Sequence, residues 1–279
     1  MKKCTSFLLL FSCLSLHAQE KMSCCSPSAT EAFAQLSSDK KFVRSHHEPL
    51  PFLYQSENGQ PITFKASDGS DAYGWEIKSK SPSDNYLIVV HEWWGLNDYI
   101  KKESETLWRD LGHVNVIAID LYDKKIATTR EDAVKDVQSV TTARAVAIIQ
   151  GAINYAGAKA KIYTIGWCFG GGWSLQASLL AGKQAAGCVM YYGMPEKDVE
   201  KLKTLNADVL GIFGNKDQFI NPKVVDEFVD NMNKAGKKLV VKRYNADHAF
   251  ANPSNPVYDK EAEEDAYKNT LSFLRARMN

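Results

Sequence analysis

Gly166-Trp167-Cys168-Phe169-Gly170-Gly171-Gly172 follows an apolar run, Lys161 to Gly166, and opens a stretch of helical character, Gly170 to Ala181. A chain that passes from strand to helix in so few residues turns sharply. Side chains two positions either side of the turn's centre would collide, and Gly166 and Gly170 remove that collision. The turn lifts Cys168 above the sheet at a helix N-terminus, where the helix dipole favours thiolate. It also aims the Phe169 N–H at the place where an oxyanion would form. With 17 Gly and 6 Cys in 279 residues, chance would give Gly-x-Cys-x-Gly about 0.02 times. The stretch is therefore read as a nucleophile elbow with Cys where Ser is usual, not as a glycine-rich helix start around a structural Cys.

The same alternation extends in both directions. Pro61 to Lys65 and Tyr73 to Lys80 flank an Asp68-Gly69 turn signal and predict an antiparallel hairpin. Tyr86 to Val90 is a continuous apolar run, the mark of a strand buried on both faces, and Val114 to Ile119 reads as a second buried strand. Asp98 to Leu111 has helical spacing, and Glu131 to Tyr155 reads as one or two helices. Beyond the elbow come strands at Cys188 to Tyr192, Val209 to Phe213 and Leu239 to Arg243, with helices at Lys223 to Ala235 and Glu261 to Arg277. Strands alternating with helices imply an α/β domain with a mostly parallel central sheet and helices on both faces. Ligands of such sheets bind beyond the carboxyl ends of the strands.

Two of those ends carry the partners a thiol nucleophile needs. Val209 to Phe213 runs into Gly214-Asn215-Lys216-Asp217, and Leu239 to Arg243 runs into Asn245-Ala246-Asp247-His248. In isolation Asp217 would be a turn residue and His248 a solvated loop residue. Nucleophile, acid and histidine in that chain order, each at a strand end, give the α/β-hydrolase order. Asp247 neighbours His248 in sequence and is badly placed to face its ring, which leaves Asp217 as the orienting acid. The first buried strand ends in His91-Glu92-Trp93-Trp94-Gly95. Here a second oxyanion-hole donor is expected, the Trp93 N–H. Glu92 is placed at the pocket mouth near the thiol, the alternative being a surface or capping carboxylate. His91 lies on the wrong strand for the triad. Cys188 reads as a buried strand residue.

These blocks resemble the dienelactone hydrolase family over about residues 60–279. The likeness rests on His91-Glu92-Trp93-Trp94-Gly95-Leu96, Asp120-Leu121-Tyr122, Gly166-Trp167-Cys168-Phe169-Gly170-Gly171, Gly214-Asn215-Lys216-Asp217 and His248-Ala249-Phe250-Ala251-Asn252. The resemblance implies Cys168 as nucleophile, His248 as base, Asp217 as its partner, and Glu92 as the carboxylate that helps generate the thiolate when substrate binds. It implies hydrolysis of a small ester or lactone through an acyl-enzyme, with no metal or organic cofactor. Where well-known members hold a substrate carboxylate with arginines, this chain has Asn252 and Asp123. Asn cannot make the bidentate charge-assisted bond that Arg makes, and Asp123 would repel a carboxylate.

The rest of the chain bounds the setting. A net charge of +1 and no basic patch argue against nucleic acid as a partner. Lys2-Lys3, the apolar run Phe7 to Leu16 and Ala18 make residues 1–19 an expected signal peptide, too short to span a bilayer. Leu10-Phe11-Ser12-Cys13 approximates a lipobox, against which bulky Phe11 argues. A periplasmic or secreted protein is therefore expected, as monomer or homodimer. Residues 20–50 lack periodicity and are read as a linker or loosely attached arm, with the hydrolase domain at 51–279. Two rival readings remain: a ligand-binding protein of the same fold without turnover, and an envelope redox or metal-handling protein using Cys24-Cys25.

Overall fold

The computed structural model describes residues 28–278. The expected signal peptide, Cys24 and Cys25 lie outside them. Eight strands form one sheet: β1 (Gly59–Lys65), β2 (Asp71–Ile77), β3 (Asn85–Val90), β4 (Asn115–Asp120), β5 (Lys161–Trp167), β6 (Ala185–Tyr191), β7 (Val209–Gly214) and β8 (Leu239–Tyr244). Their order across the sheet is β1-β2-β4-β3-β5-β6-β7-β8. β1 and β2 pair antiparallel, as do β2 and β4, and the remaining pairs are parallel. This is the α/β-hydrolase architecture that the alternation of runs predicts.

The burial of each strand follows from its place. Every residue of β4 and β7 is buried, which requires cover on both faces and explains the apolar interior of β4 between Asn115 and Asp120 and the wholly apolar β7. The helices that supply the cover are α3 (Asp98–Leu111), α4 (Arg130–Ser139), α5 (Thr142–Ala156), α6 (Phe169–Leu180), α7 (Val199–Lys203), α8 (Pro222–Lys234) and α9 (Lys260–Met278). The stretch Glu131 to Tyr155 divides because Thr141 caps a new helix, its side chain accepting from the Arg144 N–H. Among the described residues no helix is long and apolar enough to cross a membrane.

Chain order reverses about β3, with β4 on one side and β5 on the other. A crevice opens at such a switch point beyond the strand carboxyl ends. Glu92 follows β3 and Cys168 follows β5, so both stand at its rim.

The segment read as a loose arm is docked. It carries α1 (Ala29–Leu36) and α2 (Lys40–Ser45). Ser28 and Glu31 form a reciprocal capping box that starts α1, and Asp39 caps α2 by accepting from Lys41 and Phe42 N–H. Neither helix is long enough to persist alone in water. Burial of Phe33, Phe42 and His46 against the domain holds them. Phe33 packs on Phe169, and Phe42 packs on Trp93 and Phe219 at ring-centroid distances of 5.9 and 5.0 Å. Arg130 Nε donates to the His46 carbonyl oxygen at 2.6 Å.

Candidate active site

Cys168 sits between β5 and α6 with φ 56° and ψ −118°, a conformation L residues rarely adopt. The neighbouring glycines make that turn possible. A Cβ on Gly166 would lie 2.1 Å from the Gly170 carbonyl oxygen, and one on Gly170 would lie 2.3 Å from that of Val90. Both obstacles are backbone and cannot rotate away. The Cys168 N–H donates to the Tyr191 carbonyl oxygen at 3.0 Å, which ties the elbow to β6. The Phe169 N–H favours the Cys168 thiolate, against the larger opposing effect of burial.

His248 Nε2 lies 3.3 Å from Cys168 Sγ, and His248 Nδ1 donates to Asp217 Oδ2 at 2.6 Å. The other Asp217 oxygen accepts from the Phe219 and Ile220 N–H groups at 2.8 and 2.9 Å, so the carboxylate cannot rotate off the ring. Burial pushes the Asp217 carboxyl up, but the His248 charge and these hydrogen bonds outweigh it and hold it below its usual value. Burial keeps the Cys168 thiol above its usual value, outweighing the attraction of His248. Burial also opposes charging His248, while Asp217 and an ionised Cys168 favour it. The Cys168 contribution exists only once the thiol has ionised, so thiol and ring exchange one proton as a unit.

Glu92 is buried, with Oε1 accepting from the Tyr192 hydroxyl at 3.4 Å and Oε2 from Asn252 Nδ2. Burial lifts its carboxyl from the usual 4.5 to about 7, against the lowering effects of His248, Asn252 and Tyr192. It faces a cavity of about 380 Å³ whose walls include Trp167, Tyr192, Asn252, Tyr258 and Glu263. Trp93 is fully buried beneath the arm, its ring 4.2 Å from that of His46 between centroids.

His91 stands apart from this cluster. Its Nδ1 donates to the Glu92 carbonyl oxygen at 2.6 Å and its Nε2 accepts from the Leu121 N–H at 3.1 Å. Both nitrogens are used, so the ring is a neutral structural strut, and burial lowers its pKa accordingly. Asp123 departs from its expected effect: its carboxylate is paired with Arg144 on the exposed surface, so its charge is already answered. Asn252 is the departure that reaches the cavity. Cys188 is fully buried in β6, 3.6 Å from the Ser174 hydroxyl.

Sequence reasoning missed His46. It is 3% exposed, and its Nε2 lies 3.5 Å from Cys168 Sγ, on the thiol with His248. The Phe42 carbonyl oxygen can only accept, so His46 Nδ1, 2.8 Å away, carries the hydrogen and Nε2 is bare. Burial lowers its pKa from 6.5 to about 3, with His248 adding to that effect. Cys168 is only 1% exposed, with His46 against its sulfur and Phe42 packed on the rings of His46 and His248. The capping box Ser28-x-x-Glu31 signals the first helix of the arm, but nothing in the sequence places His46 on the thiol.

An elbow cysteine, a histidine and a carboxylate at successive strand ends of a switch-point sheet define an α/β-hydrolase site. The dienelactone hydrolase family pattern matches residues 73–278, and the chain belongs to that family. It is thus a hydrolase of esters or lactones with a small-molecule substrate. A protein of Saccharolobus solfataricus, provisionally named carboxymethylenebutenolidase, is 26% identical over 254 residues, 76% of this chain and 96% of that one. One of Methylorubrum extorquens with the same provisional name is 30% identical over 211 residues, 68% of this chain and 71% of that one. Among solved structures, a dienelactone hydrolase-like promiscuous phosphotriesterase from metagenomic libraries superposes with a TM-score of 0.68. It is 22% identical and covers 79% of this chain and 99% of its own.

Proposed function

We propose that this protein cleaves a small ester or lactone through a thioester on Cys168. The observation that carries the reading is the unbroken line from Cys168 Sγ to His248 at 3.3 Å and on to Asp217 at 2.6 Å. His248 takes the thiol proton as sulfur attacks the carbonyl carbon, and the Phe169 and Trp93 N–H groups receive the oxyanion. Each such donor is worth about 3 kcal/mol. Collapse expels the alcohol with the proton from His248. Water, deprotonated by the same ring, then cleaves the thioester and restores the thiol. Glu92 meets the arriving substrate at the cavity wall and assists ionisation of the thiol. Asp217 holds the ring in the tautomer that leaves Nε2 facing sulfur.

The cavity favours an uncharged substrate. Asn252 stands at its wall and hydrogen-bonds Glu92, and Glu263 adds a second carboxylate. Lys102 is the cation at this wall, and it offers a substrate carboxylate a point charge rather than the bidentate pair an arginine would give. Export to the periplasm or medium forms part of the same proposal, and the N-terminal sequence of the protein recovered from that compartment tests it.

The functional test is hydrolysis of a panel of short-chain aryl esters and lactones by wild type and Cys168→Ala. Activity that depends on Cys168 supports the reading. Folded protein inactive across the panel, or activity untouched by the substitution, overturns it.

A further inference from the structure

His46, Cys168 and His248 each offer one ligand atom, and all three atoms lie within 4.8 Å of one another. The sulfur is 3.5 Å from His46 Nε2 and 3.3 Å from His248 Nε2. A tetrahedral zinc with Zn–S near 2.3 Å and Zn–N near 2.05 Å sets sulfur and nitrogen about 3.5 Å apart. The observed separations therefore match two edges of such a tetrahedron. Metal-binding histidines are characteristically held through their other ring nitrogen by a carboxylate or a backbone carbonyl. Both forms occur here: Asp217 holds His248 Nδ1 and the Phe42 carbonyl holds His46 Nδ1. His46 is also hard to explain by hydrolysis alone. Its bare, buried Nε2 competes with His248 for the single thiol hydrogen.

We propose that His46, Cys168 and His248 form a binding site for a borderline-soft divalent cation, zinc foremost, and that bound metal pins the α1–α2 arm over the nucleophile. One thiolate and two imidazoles suit zinc and exclude magnesium and calcium, which take oxygen ligands. On binding, the Cys168 S–H bond breaks, its proton leaves to solvent, and sulfur and both Nε2 atoms donate lone pairs to the metal. No electron is transferred. The sulfur pair and the His248 lone pair that hydrolysis would use are then occupied, so metal and ester turnover exclude each other. The α2 helix belongs to the closed, metal-bound state because His46 directly follows it.

The site stands on geometry and its readout is spectroscopic, so its fate is separable from that of the hydrolase reading. The full chain, with Cys4, Cys13, Cys24 and Cys25 each replaced by Ser so that Cys168 and Cys188 are the thiols left, is reduced, freed of metal with a chelator and titrated with Co²⁺. The expected result is one equivalent bound with a thiolate-to-cobalt charge-transfer band and the strong visible bands of tetrahedral cobalt, all displaced by Zn²⁺. Cys168→Ser removes the charge-transfer band. His46→Gln, which keeps the side-chain volume, weakens binding by more than about 100-fold, beyond what loss of an outer-shell partner costs. Circular dichroism confirms that each variant is folded. Three results overturn the proposal: folded protein with no thiolate band, a band that survives Cys168→Ser, or undiminished affinity in His46→Gln. Cobalt binding as described, with no ester hydrolysis by the same protein freed of metal, would support the metal site and count against the hydrolase mechanism.

Discussion

Replacing Glu92 by Gln changes how stability depends on pH, and the structure sets the size of the change. Glu92 is buried, and its folded-state pKa is raised from 4.5 to about 7, chiefly by burial. A carboxyl raised on folding binds its proton more tightly in the folded state. Its contribution to stability is complete below pH 4.5 and is lost as pH rises through 7. Linkage puts the loss between pH 5 and pH 8 at about 2–3 kcal/mol for that shift. Gln keeps the shape and an acceptor for Asn252 but does not titrate, so the loss is absent in Glu92→Gln. Urea unfolding of both proteins in reductant at pH 5, 6, 7 and 8 measures it, and constant effects of the substitution cancel in the slope. The difference between the two proteins grows with pH, with Glu92→Gln gaining on wild type. Parallel pH profiles would refute the reasoning and mean that Glu92 is hydrated or paired in solution.

Two further perturbations probe the elbow and the arm. Gly166→Ala places a methyl group 2.1 Å from the Gly170 carbonyl oxygen. The overpacking costs about 1–3 kcal/mol, and displacement of the nucleophile by about 1 Å lowers kcat about 10²-fold. Denaturation and ester kinetics read both effects, and unchanged turnover would contradict the assigned turn. Phe42→Ala empties the buried contact between α2 and the domain. A loss of about 3–5 kcal/mol is expected, which opens the arm and speeds iodoacetamide modification of Cys168 by about 100-fold or more. Peptide mapping distinguishes Cys168 from Cys188, and an unchanged rate would mean that the arm does not guard the thiol.

The parts of this structure that were legible in the sequence are those fixed by local sterics and by the sheet. Gly166 and Gly170 declare the turn because only residues without Cβ pass so close to backbone. Asp217 declares itself by following an apolar run buried on both faces, whereas His248 follows the half-exposed edge strand β8 and is legible from its place after Asp217 in chain order. Boundaries were less legible. β6 begins at Ala185, where small residues carry no strand signal. The surface helix α7 is five residues long, too short to show a period. The arm was misread as loose because two short helices have no sustained periodicity. What buries Phe33, Phe42 and His46 is contact with residues far along the chain, from Trp93 to His248. Asp123 was misread for a similar reason, as its partner Arg144 lies in a separate helix.

If catalysis passes through Cys168, its covalent intermediate can be trapped there during turnover. Wild-type protein is mixed with excess aryl ester, quenched in acid during turnover, digested and examined by mass spectrometry. The acyl mass is expected on the peptide containing Cys168, released by hydroxylamine and absent after pretreatment with iodoacetamide. An acyl group on any other residue, or full turnover in protein whose Cys168 is quantitatively alkylated, would contradict it.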